Sequence, residues 1–268
     1  MAITSQATAT KRLPTDSWRK LALAGGVLYL ITFLASIPAV FLLGPVLTNP
    51  FYIVSAGADS QVLLGAFLDL VTALAGIGTA VALYPVIKRQ SGAASIGFVT
   101  TRMFEGAVIV IGVVSLIAVV NLRQAGAAAG TDASALVAVG QGLVAVRDVT
   151  FLVGPGLMPG LNALMLGYVL YRSRLVPRII PAMGLIGAPL FLVSATLSIL
   201  GVNEQVSVLS GIALPLIFFW ELSVGLWLTF KGFRPSAVAA LASDSGNEVV
   251  SATGVLSPIA VATQAGAA

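Results

Sequence analysis

The chain predicts an all-α fold: a six-transmembrane-helix bundle with short loops and both termini on the cytoplasmic side. Three observations carry that expectation. Of 268 residues, 58% are hydrophobic and only 9% charged, against about 25% charged in soluble domains, so there is too little polar surface to face water. Six apolar segments reach the roughly 20 residues that cross a hydrocarbon core about 30 Å thick. The basic residues gather in alternate loops, as they do in chains that cross a membrane repeatedly.

Taken in order, the first span covers approximately Leu21–Leu43 and follows Lys11, Arg12, Arg19 and Lys20. Its apolar run of about 23 residues exceeds the 7–15 of a cleavable signal peptide and ends at no clear small-residue site, so a retained anchor is expected. Spans two and three, Gln61–Ile87 and Ile96–Val120, flank a short connection bearing Lys88 and Arg89. The fourth, Leu143–Tyr171, runs into Arg172, Arg174 and Arg178. The fifth is Ile179–Leu200, and the sixth, Ser207–Phe230, precedes Lys231 and Arg234. Eleven of the 14 Lys and Arg residues thus share one side, while the opposite loops hold Arg123 with Asp59, Asp132 and Glu204. Basic loops stay in the cytoplasm, which places both termini there.

Three regions follow: a basic cytoplasmic segment at 1–20, the six-span domain at 21–234, and a tail at 235–268. The tail is Ala/Ser/Thr-rich, poor in charge and broken by Gly and Pro, and is expected to be disordered. The 28 Gly and 13 Pro residues suit membrane helices, where small faces allow close approach and neighbours re-satisfy freed backbone groups. "FLLGPVL" at Phe41–Leu47 and "FLVGPGL" at Phe151–Leu157 hint at an inverted repeat, but seven apolar and turn-forming residues recur by chance in such a composition.

The chain contains no Cys and no His. Disulfides, thiolate and imidazole metal ligands, Cys or His nucleophile–base pairs and histidine proton relays are therefore excluded. A net charge of +4 and a pI near 9.7 suit nucleic acid in magnitude but not in distribution, because the basic residues lie at span ends. No cofactor and no metal is expected, and catalysis is the weakest of the functional readings, since only carboxylates remain as acid–base groups.

The informative residues are the charged ones inside spans, where each ion costs roughly 2.5–3.5 kcal/mol on insertion scales. Counting a rise of about 1.5 Å per residue from the cytoplasmic ends, Glu221 lies about 15 Å deep, Arg102 and Glu105 about 20 and 24 Å, and Asp69 about 28 Å. Arg147 and Asp148 fall near 36 Å on the same count, at the outer interface. Arg102 and Glu105 share a helix face at i, i+3 and can pair; inward-facing, paired charges are the cheap solution. Four acids against two arginines leave a formal excess of two negatives. A proton, a cation or contact with water would resolve it.

Span four carries "VGPGLMPGLNALM". Pro155 and Pro159, among Gly154, Gly156 and Gly160, predict a kink or break that frees backbone carbonyls near Asn162. Broken helices beside polar residues build midplane sites in many transporters; a plain proline kink, packed through a small-residue face, is the simpler alternative.

The stretches "QVLLGAFLDL", "LYPVIKR", "RMFEG", "VRDVTFLVGPG", "LYRSRLVPR" and "LPLIFFWELSVGLWLTFKGFRP" resemble a bacterial multi-pass membrane family, domain-of-unknown-function family forty-three eighty-six. The resemblance covers roughly residues 20–235 in order. It implies a bacterial cell membrane and a six-span bundle, and brings no activity, substrate or catalytic residue with it. The reading that results is an integral membrane protein that binds or transports a small solute or ion. Its intramembrane polar network is Asp69, Arg102, Glu105, Arg147, Asp148, Asn162 and Glu221, beside the break at Pro155 and Pro159. The alternative is a structural or regulatory protein whose buried charges serve helix packing or partner assembly. The partners are the lipid bilayer and a small solute, proton or cation; a second copy or a partner subunit is left open, and nucleic acid is not expected.

Overall fold

A computed structural model describes residues 15–129, 132–202, 204 and 207–243, and those residues form helices and short connections without a strand. In chain order the elements are α1 (Thr15–Leu42), α2 (Gly44–Thr48), a 3₁₀ turn at Tyr52–Val54, α3 (Asp59–Ile87) and α4 (Gly92–Ala129). They continue with α5 (Ala133–Val153), α6 (Met158–Ser173), α7 (Ile179–Ile199) and α8 (Val208–Phe230). Six segments are long and apolar enough to cross a membrane, α5 and α6 together making the fourth. The chain is an integral, multi-pass membrane protein.

The spans close into a ring. α1 packs beside α3 and α8, α8 beside α7, α7 beside α6, and α6 beside α4, which returns to α3 and also supports α5. Small residues set the closest approach. A Cβ added at Gly26 of α1 would lie 2.5 Å from the Thr229 backbone nitrogen of α8, and Gly225 faces Tyr29 and Leu30 in return. Without a hydrophobic drive between helices in lipid, such backbone proximity and its dispersion contacts hold the seam. Two apolar cores form at the ends. One, at the basic end, includes Trp18, Phe98, Leu170, Trp220 and Phe233; the other includes Leu43, Tyr52, Ile53, Leu116 and Val120. On α4 the charged residues Arg102 and Glu105 fall between Phe98 and Leu116, so the polar cluster sits between the two cores.

Three expectations change. Arg123 is not in a loop: α4 runs on past it, and its guanidinium reaches Asp59, the first residue of α3, at 2.6 Å. The fourth span is longer than expected because α5 begins at Ala133, where the Asp132 carboxylate accepts from the Ser134 backbone N–H and caps the helix. The tail is not irregular from residue 235. Residues 235–243 form a further helix, α9, whose Ala237 and Leu241 are buried with Trp18 and Phe233. Gly232 makes the turn into it at φ +73, a left-handed conformation that disfavours a side chain. Arg19 packs beside that glycine and donates to the Leu228 and Thr229 carbonyls that end α8, at 3.0 and 2.8 Å. Residues 1–14, with Lys11 and Arg12, and the tail from 244 onward lie outside the described residues.

Candidate functional site

At the centre of the ring lies a cavity of about 350 Å³ to which all six spans contribute lining residues. Two ion-pair groups face it. In the first, Arg102 of α4 is only 4% exposed. Its Nη1 donates to Glu105 Oε2 at 3.0 Å, and its Nη2 donates to Glu221 Oε1 of α8 and, at 3.0 Å, to the Tyr29 hydroxyl of α1. The guanidinium also lies over the Tyr29 ring at 5.1 Å and the Phe98 ring at 5.8 Å, a placement that the ring quadrupole favours. Glu105 Oε2 accepts a second bond from Asn162 Nδ2 at 2.8 Å, and Asn162 Oδ1 accepts from Thr101 Oγ1 at 2.5 Å. One arginine therefore ties α1, α4 and α8 together, and Asn162 adds α6.

The second group is Arg147 of α5 with Asp69 of α3, 3.1 Å apart. Arg147 lies over the Phe151 ring at 4.7 Å. Gly112 of α4 leaves its path open: a Cβ there would come within 2.9 Å of Arg147 Cδ and 2.7 Å of Thr150 Oγ1. Among the described residues no hydrogen bond joins the two groups. The second oxygens of Glu105, Glu221 and Asp69 accept no hydrogen bond there either, and the buried Arg102 Nε has no partner.

The break in span four is present. α5 ends at Val153, the chain turns through Gly154–Leu157, and α6 restarts at Met158 with Pro159 in its first turn. Pro155 and Pro159 both line the cavity. Asn162 follows one turn into α6, where the break delivers its amide to Glu105. The break also corrects the depth expected for Arg147. A depth counted along one straight helix does not hold across it, and Arg147 meets Asp69, which the count had placed at a different level.

Asp148 does not join the network. It follows Arg147 on α5, about 100° round the helix, and is exposed, lining a separate cavity at the non-basic end beside Asn49, Tyr52 and Gln141. The cluster's formal charge is therefore −1, from three carboxylates against two guanidiniums, and not −2. Tyr29 and Thr101 were not anticipated; an isolated phenol in an apolar span was the one available signal. Trp220 is fully buried and packs on Gly184, so it serves packing and does not line the site. At the non-basic end the Tyr52 hydroxyl donates to Asp59 Oδ1 at 2.8 Å, while Arg123 and Gln124 hold Oδ2. Burial first, and that bond to Asp59 second, push the Tyr52 phenol up. No three acidic groups among the described residues meet as a metal site would require.

The family model that matches this chain covers residues 24–232 and is described as a domain of unknown function, DUF4386. The chain belongs to the DUF4386 family. Every residue of both ion-pair groups falls inside the DUF4386 region, as do Tyr29, Thr101, Asn162 and the break, whereas α9 lies beyond it. No curated protein and no solved structure matches the chain.

Proposed function

We propose that this DUF4386 protein binds a small cationic solute inside the membrane, as a transporter or an intramembrane receptor, in the cell membrane of a bacterium with both termini cytoplasmic. The observation that carries the reading is the central cavity with an unbalanced carboxylate on its wall. A cluster that served only to fix helix register would be expected to close on itself with its charges matched, since buried ion pairs contribute little net stability otherwise. Here the acids outnumber the arginines by one, and a carboxylate oxygen of each acid is left for a ligand. Carboxylates and arginines can hold and exchange a cation without making or breaking bonds, so the protein is read as a binder and not an enzyme.

One observation favours the structural reading: Arg102 links α1, α4 and α8 directly. The two readings separate in purified full-length protein in detergent. On the binding account, monovalent cations from sodium to small ammonium ions raise the melting temperature saturably, and Glu221→Gln folds but weakens that response. A melting temperature indifferent to every cation, in parent and variant alike, leaves only the structural role.

A further inference from the structure

Of the cavity's lining residues, only Ile37, Val40 and Leu214 are more than a third exposed, at 46%, 53% and 58%. All three are apolar, and they lie on the outer halves of α1 and α8, away from the basic end. The opening therefore lies between those two helices; its exposed lining is apolar and without charge, and the half-buried hydroxyl of Ser36 lies beside it on α1. Just inside it, Phe33 of α1 and Phe218 of α8 meet edge to face at 5.1 Å, and both line the cavity. Phe151 of α5 and Phe191 of α7 also line the cavity. The charged groups sit deeper, with Glu221 one turn below Phe218 on α8. The site is thus amphipathic, with an apolar, aromatic mouth over a base carrying a single uncompensated negative charge.

From this we infer that the ligand is a monovalent organic cation, an amine or quaternary ammonium bearing an apolar or aromatic body. The inference rests on the cation-binding reading above and narrows it. A bare metal ion fits poorly. At about 350 Å³ the cavity is an order of magnitude larger than the roughly 30 Å³ share of one water, and aromatic walls are poor partners for the water that would fill the rest. That volume lies instead in the range of small-molecule pockets, about 300–1,000 Å³, which are mainly apolar with a few placed polar groups. The charge count selects one positive charge: a dication would be over-compensated, and an anion would meet three carboxylates whose arginines are already engaged. The apolar mouth suits a ligand that shares its body with the bilayer.

The test uses full-length protein in detergent and four probes: benzyltrimethylammonium, tetramethylammonium, sodium and benzenesulfonate. Binding is read by calorimetry and by melting temperature. Benzyltrimethylammonium is expected to bind at least ten times more tightly than tetramethylammonium or sodium, with no response to benzenesulfonate. In folded protein, Phe218→Ala is expected to bring benzyltrimethylammonium affinity down to that of tetramethylammonium. Equal binding of sodium and benzyltrimethylammonium, or a preference that survives Phe218→Ala, overturns the organic-cation assignment and leaves the cation site standing. If none of the three cations binds the unmodified protein, both inferences fall, and that comparison requires no variant to fold.

Discussion

Arg102 shows what one side chain can organise in a membrane. It satisfies two carboxylates and a phenol, and it stacks on two rings. Removing one partner of a buried pair typically costs about 3–5 kcal/mol, because it strands an uncompensated charge, whereas removing both sides can be close to neutral. Arg102→Ala strands both Glu105 and Glu221, so it is expected to lower the yield and melting temperature of folded protein more than Arg102→Ala combined with Glu105→Ala and Glu221→Ala. Strictly additive losses through that cycle would show that the three side chains do not interact. The i, i+3 spacing made the Arg102–Glu105 pair legible in the sequence. The partnership with Glu221, 119 residues away, was legible only as a possibility, since depth along a helix says nothing about the direction a side chain faces. Asp148 failed for that reason. It shares a depth with Arg147, but adjacent residues on a helix point about 100° apart, and only one of the two faces inward.

At the scale of elements, the six spans and the break were open to reading from hydropathy and from the Pro/Gly cluster, because each rests on local chemistry. The ring order was not, because it depends on which small residues meet. Gly26 marks one such place. Gly26→Ala forces its Cβ against the α8 backbone at Thr229, and overpacking of this kind costs about 1–3 kcal/mol. A lower melting temperature is expected for Gly26→Ala, with no comparable loss for Gly44→Ala, where nothing lies within 4 Å. Equal effects at the two sites would mean that the α1–α8 seam is not packed as described. α9 escaped the sequence reading because nine residues with two buried apolar positions give almost no periodic signal. Its burial depends on Trp18 and Phe233, which are distant in the chain or outside the helix.

For the whole molecule, the basic residues place one end of the ring in the cytoplasm if the positive-inside rule holds. The chain has no Cys, so single replacements report sidedness without background. Cysteines at the exposed positions Asn49 and Ala93 are expected to label from the outside and the inside of the cell, respectively; labelling of Ala93→Cys from outside would invert the assignment.

The central claim is that the cavity is open to a ligand and carries a net negative charge. Thr72 of α3 lines it, and Thr72→Cys can be tested with two methanethiosulfonate reagents of similar size, one ending in trimethylammonium and the other in sulfonate. At an effective dielectric near 20, one unbalanced charge would be worth about 2 kcal/mol to a second charge held roughly 8 Å from it. The account predicts that the cationic reagent reacts at least roughly tenfold faster than the anionic one, and that Glu221→Gln, which brings the formal charge of the cluster to zero, narrows the gap. Failure of both reagents to react with correctly folded protein, or equal rates for the two, would contradict it.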